Sequence, residues 1–343
     1  MVRKILLGIL LMLIAVGIFY RDLVSYGYMQ AKGQIQILWN TKPVTEVLQD
    51  PTLPDSLKQR LQLIGEIKKF AVDSLGLDSS ESYTTFYDQK GKPILWVLTA
   101  CERFQMKPKE WRFPVIGTFA YKGFFDNARA QAEEKAFIDQ GFDTQINEVS
   151  AWSTLGFFKD PILSSMLYRG EGSLANLIIH EMTHGTLFVK DNLELNENLA
   201  SFVGDYGAIR FLTAKYGKDS PQLEKYEFRK QYNDALSQHI VRGAHQLDSL
   251  YKNFPSSLTT TQKDTLKMAT IKHIVISSDT LLGGVIGKKY PWRGKKLPNN
   301  AFFIGYLTYH SQQNQFQKEF QTQFKGDFRK YLSHLKAKYP TSF

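Results

Sequence analysis

The chain contains almost no cysteine, the residue that forms disulfide bonds. Cys101 is the only cysteine among its 343 residues. A single thiol excludes an internal disulfide, and it also excludes a metal cluster built from cysteine ligands. Within WVLTAC this residue is better interpreted as a small buried apolar side chain than as a catalytic thiol.

Other absences narrow the class of protein further. The sequence contains no internal repeat and no low-complexity tract, and no run of lysine and arginine is interleaved with aromatic residues. The last absence disfavours a nucleic-acid groove, so no nucleic-acid partner is predicted. A net charge of +10 favours anionic surroundings such as phospholipid or an acidic envelope polymer. The hydrophobic content of 43% is that of a globular protein.

The one long hydrophobic run lies near the N-terminus. Arg3 and Lys4 precede an unbroken apolar segment, Ile5–Phe19. No Ala-x-Ala cleavage site follows it, and no cysteine lies near its end. This pattern predicts an uncleaved signal anchor over residues 1–21, with a cleaved signal peptide as the alternative. The basic flank predicts that the rest of the chain lies on the extracytoplasmic side of the inner membrane, with residues 5–20 in contact with lipid.

Periodicity divides the rest of the chain into a sheet-containing part and a helical part. Helices are predicted over residues 22–40 and from an N-cap at Asp55 to Gly76. A third is predicted in the segment FDNARAQAEEKAFIDQG, where Gly141 ends it. Strands are predicted in three segments: YTTFYDQKGKPILWVLTA, as a hairpin around DQKGK; FPVIGTFAYKG; and FDTQINEVSAWST.

The second half of the sequence is predicted to be mostly helical. Helices are predicted in and around the segment HEMTH and over residues 193–216, 221–253, 261–281 and 301–338, with a loop over 283–300. A small mixed sheet followed by helices is an α+β fold. We therefore expect a single domain over residues 22–343, with a sheet-containing lobe over about 22–172 and a helical lobe over about 173–343.

The segment NLIIHEMTHGTLFVK contains His180 and His184, with Glu181 directly after the first histidine. Positions i and i+4 share one face of a helix, so both imidazoles can point at one zinc ion, about 2.0–2.1 Å away. Glu181 is rotated by ~100° and can reach a water molecule at the metal. A hydrolase needs this arrangement, because the metal lowers the pKa of the water and the carboxylate takes its proton.

The alternative interpretation is a buried polar pair without a metal. The neighbours of the pair are mostly leucine and isoleucine, and Phe188 follows. Such an apolar helix gains nothing from burying two histidines and a glutamate unless a charged partner offsets their desolvation. The sequence therefore predicts one bound zinc ion.

A catalytic zinc site uses three protein ligands and keeps one position open. Lys190 occupies the position of the third histidine in the pattern HExxHxxGxxH, and the next histidine in the chain is His239. Glu197 and Glu194 are the nearer candidates, although either could be a solvated glutamate at a helix start. Glu197 is favoured because small residues continue its helix face, namely Ser201, Gly204 and Ala208.

The motif HExxH followed by Asn-Glu-x-x-Ala on the next helix resembles the gluzincin metallopeptidases. More closely, the chain resembles the family of predicted bacterial aminopeptidases, envelope proteins with one N-terminal hydrophobic segment. The likeness rests on the segments YGYMQAKGQIQIL, FPVIGTFAYKGFFD, AWSTLGFFKDPILSS, IIHEMTHGTLFVK, NENLASFVGDYGA and LPNNAFFIGYLTYH.

This resemblance implies a zincin-like fold and a zinc ion held by His180, His184 and Glu197. It also implies that Glu181 is the general base and that the substrate is a peptide or protein. Peptide hydrolysis is implied more firmly than trimming from the N-terminus.

The sequence departs from thermolysin-like gluzincins in two ways. Only 12 residues separate His184 from Glu197, which is a shorter spacing. Ser201 stands where those enzymes carry an aspartate that orients a histidine. Asp205, one helical turn later, could take that orienting role, as could a backbone carbonyl.

Further residues are predicted around the active helix. The segment VSAWSTLGFFKDP could form an edge strand that holds an extended substrate, although a plain core strand fits it as well. Tyr309 or His310 could stabilise the oxyanion of the tetrahedral intermediate, with a core helix face as the alternative. Contact with substrate is predicted for Trp152, Ser153, Thr154 and Asn300.

Two other function classes fit parts of the pattern. One is a catalytically silent, zinc-stabilised protein that binds an envelope partner, and the other is an amide hydrolase acting on cell-wall peptides. The presence of Glu181 argues against the first, because a structural zinc site needs no general base. The natural substrate, exo- or endo-cleavage and the oligomeric state stay open at this point.

Overall fold

The structure is a computed structural model that describes residues 19–113, 117–149, 159–278, 296–310 and 313–339, together with Arg3, Leu6, Leu7 and Leu281. Helices occupy most of these residues, and the strands all lie before residue 164. None of the described helices combines the length and the apolar character that a membrane crossing requires. Most of the predicted anchor, residues 1–21, lies outside the described residues.

The helices and strands follow one another in an irregular order. The helices are α1 (Arg21–Trp39), α2 (Val44–Gln49), α3 (Asp55–Phe70), α4 (Asn127–Asp139), α5 (Glu171–Thr186), α6 (Leu193–Tyr216), α7 (Pro221–Lys252), α8 (Thr260–Ser277), α9 (Asn300–His310), α10 (Gln313–Phe324) and α11 (Phe328–Lys338). The strands are β1 (Lys42–Pro43), β2 (Thr85–Tyr87), β3 (Trp96–Cys101), β4 (Trp111–Phe113), β5 (Gly117–Phe119), β6 (Lys122–Phe124), β7 (Asp143–Glu148) and β8 (Ile162–Leu163).

Local sequence signals account for most helix ends. A π-helical turn carries α3 on to Gly76, which adopts a φ of 78° and ends the helix. The hydroxyl of Ser220 accepts a hydrogen bond from the third residue of α7, and Thr259 forms a capping box with Gln262 at the start of α8. The predicted N-cap Asp55 is instead the first helical residue of α3.

The sequence predicts one small mixed sheet, whereas the described strands form three small sheets. Strands β1, β2 and β8 form a mixed sheet, strands β6, β3 and β7 form an antiparallel sheet, and β4 pairs with β5. The strands are two to six residues long, and each sheet contains two or three of them.

The predicted hairpin around DQKGK does not form. Phe86 of β2 lies opposite Lys42 and Ile162, whereas Trp96 of β3 lies opposite Phe124 and Glu148. Strand β3 is the middle strand of its sheet. Because both of its edges are already paired, no edge remains for β2.

Three larger apolar cores and a small fourth cluster around Cys101 hold the described elements together. The largest surrounds α5 and α6 and packs α3, α10 and α11 around them. Leu174, Ile178 and Ile179 of α5 are fully buried in it. A second core joins α7, α8 and α9, and a third joins the β3 sheet to α1 and α4. The helix that carries HEMTH is therefore fixed on several sides by packing.

Candidate metal centre

Two packed helices bring three potential metal ligands together. His180 and His184 lie one turn apart on α5, and Glu197 lies in the first turns of α6. The Nε2 atoms of the two histidines are 3.2 Å apart. The Oε2 atom of Glu197 lies 3.4 Å from Nε2 of His180 and 3.8 Å from Nε2 of His184. These three residues form a candidate metal site.

The size of this triangle fits a zinc ion. A circle through three atoms that lie 3.2, 3.4 and 3.8 Å apart has a radius of about 2.0 Å, and protein nitrogen and oxygen ligands lie about 2.0–2.2 Å from zinc. An ion just above the plane of the three atoms would reach all of them at that distance. The donor set therefore fits a divalent metal.

The protonation states also suit metal binding. Burial lowers the pKa of His184 to about 4, although the carboxylate of Glu197 opposes the shift. Burial raises the pKa of Glu197, but the two histidines outweigh it and lower that pKa overall. At neutral pH, His184 is thus neutral and Glu197 is ionised, which are the forms that bind a metal.

His180 differs from His184 in its electrostatic surroundings. Burial opposes the charged form of His180, but its hydrogen bond to Glu197 and the charges of Glu181 and Asp205 outweigh burial, so its pKa is raised. A cation at the triangle would take the place of this proton. The half-buried Glu181 lies beside the triangle without belonging to it, in keeping with its rotated position on α5.

Close packing of α6 on α5 sets the distance between Glu197 and the histidines. A Cβ atom on Gly204 would lie 2.9 Å from the carbonyl oxygen of Asn176 and 3.2 Å from Cβ of His180. A Cβ atom on Gly207 would lie 2.8 Å from the side chain of Ile179. Since real Cβ contacts are rarely so short, these two glycines allow the helices to approach closely.

Gly204→Ala is therefore expected to weaken metal binding and to destabilise the fold by about 1–3 kcal/mol, because the new methyl group pushes α6 away from His180. Metal content and urea unfolding of the purified variant measure both effects. Gly65→Ala is the matched control, since a Cβ there meets no atom within 4 Å and alanine favours a helix. Equal metal content and stability in the two variants would contradict this account of Gly204.

A tight connection between α5 and α6 supports the same geometry. Asn196 donates a hydrogen bond to the carbonyl of Val189 and accepts one from its backbone N–H, at 2.8 and 2.9 Å. Asn192 caps α6 by accepting from the N–H of Leu195. Asp191 adopts a φ of 58° and accepts from the N–H of Thr118 at the start of β5. The turn before Glu197 is thus fixed from within and from the sheet.

Asp205 does not contact a histidine in the described structure. Its Oδ1 atom accepts hydrogen bonds from Asn176 and from the hydroxyl of Tyr226, and its Oδ2 atom lies 3.3 Å from Nζ of Lys230. The predicted orienting role is not exercised by a direct contact in the described structure, where the carboxylate binds these three donors instead. Burial raises the pKa of Asp205, which still contributes to the raised pKa of His180. Ser201 is half-buried, one turn after Glu197 on α6.

Three tyrosine hydroxyls lie in the electric field of the two glutamates. Tyr309 keeps 37% of its surface exposed, yet the dense protein around it, followed by Glu197, raises the pKa of its hydroxyl well above the usual value. Burial and then Glu197 and Glu181 raise the pKa of Tyr121. Burial and then Glu181 raise that of Tyr83. All three hydroxyls therefore keep their protons at neutral pH and can act as donors.

Sequence reasoning identified Tyr309 but missed Tyr121 and Tyr83. Tyr121 lies in FPVIGTFAYKGFFD, one of the segments that carry the family resemblance, and that membership was the available signal. Tyr83 has a φ of 61°, which is uncommon for a residue other than glycine, and its buried hydroxyl has no hydrogen-bond partner among the described residues. Backbone conformation of this kind leaves no mark in a single sequence.

A buried asparagine links α6, which carries Glu197, to α9, which carries Tyr309. Asn198 follows Glu197 directly and is fully buried. Its Nδ2 atom donates to the carbonyl oxygens of Glu194 and Thr308, each at 2.8 Å. Thr308 immediately precedes Tyr309, so this contact fixes the backbone of α9 beside the triangle.

The other predicted substrate residues are not part of the described site. Asn300 is fully buried, where it donates to the carbonyls of Glu102 and Arg103 and accepts from the hydroxyl of Tyr251. In the described structure these bonds use the side chain to tie α9 to the residues that follow β3. Outside the described residues lie Trp152, Ser153, Thr154 and the side chain of His310.

Comparison with known proteins assigns the chain to a family. Residues 25–339 match the family described as "Putative aminopeptidase". Because the match spans most of the chain, the protein belongs to that family, and the resemblance to an aminopeptidase family is confirmed. No curated protein and no solved structure matches the chain.

Proposed function

We propose that the protein is a zinc-dependent aminopeptidase of the gluzincin type. The observation that carries this proposal is the triangle of His180, His184 and Glu197, whose dimensions suit zinc, with Glu181 beside it. Membership of the aminopeptidase family supports peptide bonds as the substrate class. A zincin-like arrangement of α5 and α6 is part of the same proposal.

In this proposal the two histidines and Glu197 hold zinc, which polarises the scissile carbonyl and lowers the pKa of water when bound. Glu197 also offsets part of the charge of the ion. Glu181 takes a proton from the attacking water and delivers it to the nitrogen of the leaving amine. The field of Glu181 reaches His180, Tyr121 and Tyr309, which supports its place at the reacting centre.

A peptide digest tests the reaction and its direction together. The purified full chain is incubated with a peptide library, with and without a chelator, and the products are read by mass spectrometry. We expect ladders that shorten from the N-terminus, loss of cleavage with the chelator, and recovery when zinc is added back. Peptides with acetylated N-termini are the matched control and should remain intact. Internal cleavage of the acetylated peptides would show that the protein is an endopeptidase and not an aminopeptidase. If no peptide is cleaved, the proposal is overturned.

Tyr309 is proposed to donate a hydrogen bond to the oxyanion. Tyr309→Phe is then expected to lower kcat by about 10²-fold while metal content stays unchanged, because only the hydroxyl donor is lost. Steady-state kinetics and metal analysis measure the two quantities. Tyr306→Phe, one turn earlier on α9 and packed in the second core, is the matched control. Wild-type kcat in Tyr309→Phe combined with a large loss in Tyr121→Phe would transfer the role to Tyr121.

A further inference from the structure

One face of α1 is fixed on the sheet-containing part of the protein. The hydroxyl of Tyr26 donates to the carbonyl of Gly123 at 2.9 Å, and Met29 is buried in the third core. Gly33 packs so closely on the ring of Phe125 that a Cβ atom there would lie 2.1 Å from it. These contacts set the rotation of the helix about its axis, and so they also set which residues point away from the protein.

The outward face of α1, together with the residue before it, carries large apolar side chains towards both of its ends. Each of its six large side chains keeps between 44% and 85% of its surface exposed. At about 100° per residue, these positions fall within roughly half of the helix circumference, opposite Met29, Gly33 and Ile37. The six residues are Tyr20, Leu23, Val24, Tyr28, Ile35 and Trp39. We call this set the α1 stripe.

The composition of the α1 stripe is that of a membrane interface. Single exposed apolar residues are common on soluble proteins, but several large ones on one helix face indicate an interaction surface. Tyrosine and tryptophan favour the boundary between headgroups and acyl chains, because each has an apolar ring and a polar atom. Lys32 lies exposed on the same helix and can pair with a lipid phosphate, whereas the exposed Arg21 lies 3.6 Å from the carboxylate of Asp22. The apolar run Ile5–Phe19 ends where the stripe begins, which brings this helix close to any bilayer that the run enters.

We propose that α1 lies flat on an anionic phospholipid bilayer through the α1 stripe. A helix of 19 residues is about 28 Å long, so an upright helix would hold Trp39 far from the surface at which Tyr20 lies. A flat helix places both ends of the stripe at one depth. The opposite face of α1 carries the rest of the protein, so this contact orients the whole domain against the membrane.

The single cysteine of the chain makes a direct test possible. Cys101 is fully buried, so a nitroxide label can be directed to a cysteine introduced on the surface. The full-length Tyr28→Cys variant is labelled and reconstituted into vesicles of phosphatidylethanolamine and phosphatidylglycerol. Electron paramagnetic resonance then measures collisions of the label with oxygen and with a water-soluble nickel chelate.

We expect the label in Tyr28→Cys to collide about threefold less often with the nickel chelate when the protein is bound to vesicles than when vesicles are absent. The reason is that this face of the helix enters the membrane interface. Gln222→Cys, an exposed polar position on α7, is the matched control and should stay accessible to the chelate. Trp39→Cys should behave like Tyr28→Cys, because a flat helix holds both positions at one depth.

Three results would overturn the proposal. Vesicle-bound protein whose Tyr28→Cys label stays open to the chelate would mean that the run Ile5–Phe19 alone attaches the chain. Absence of vesicle binding would remove the lipid partner altogether. Spin–spin broadening between labels in the absence of vesicles would mean that a second copy of the chain covers the stripe instead. None of these results depends on peptidase activity, so the proposed function stands or falls separately.

Discussion

Glu181→Gln is expected to retain its metal and to lose peptide hydrolysis by roughly 10²- to 10⁴-fold. The three ligand atoms belong to His180, His184 and Glu197, so the substitution leaves the triangle intact. A glutamine has nearly the same volume but cannot accept a proton from water. Metal content by mass spectrometry, circular dichroism and steady-state kinetics on one preparation separate the three effects.

Glu194→Gln is the matched control for this variant. Glu194 lies exposed in the first turn of α6, outside the triangle, and carries the same chemical change. It should keep both its metal and its activity. Turnover near that of the wild type in Glu181→Gln would remove Glu181 as general base. Loss of metal from Glu181→Gln would show instead that this carboxylate helps to hold the ion.

The histidine pair of the candidate metal site could be predicted from the sequence because its geometry is local. Two histidines four residues apart share a helix face in any α-helix, whatever surrounds it. The choice of Glu197 over Glu194 rested on the small residues that continue its face, and Gly204 does lie against His180 and Asn176. Helical periodicity and residue size are both visible in a single sequence.

The sheets could not be predicted in the same way because strand pairing is non-local. Phe86 pairs with Ile162, far along the chain, and neither segment carries a local mark of the other. The turn residues of DQKGK predict a reversal, but they do not determine which strand edge is free. Packing decides that question, and here it gives β3 two other neighbours.

Buried polar residues show a second limit of sequence reasoning. Asn198 and Asn300 both occur in segments that carry the family resemblance, and either could serve a substrate. In the structure both bind backbone carbonyls and hold α9 in place, Asn198 against α6 and Asn300 against the end of β3. The partners of a buried amide depend on the tertiary fold, so its role becomes visible only with the fold.

The second large effect is expected for Glu197→Ala, which should weaken zinc binding by at least about 10-fold and abolish activity. Removal of the carboxylate leaves two neutral imidazoles, which neither offset the charge of the ion nor close the triangle. Glu197 is buried and lies within 3.4 Å of Nε2 of His180, so no other described carboxylate replaces it in the cluster. Metal content, measured over a series of free zinc concentrations, gives the affinity.

Glu194→Ala is the matched control, because the same truncation one turn earlier removes an exposed carboxylate outside the triangle. Glu197→Gln serves as a second variant, since it keeps the volume of the buried side chain and removes its charge. We expect the order of zinc affinity to be wild type and Glu194→Ala together, then Glu197→Gln, then Glu197→Ala, with circular dichroism unchanged. Full zinc in Glu197→Ala together with loss of zinc in Glu194→Ala would transfer the ligand role to Glu194. That result would also mean that α6 is shifted by about one helical turn from its place in the structure, so that Glu194 faces His180.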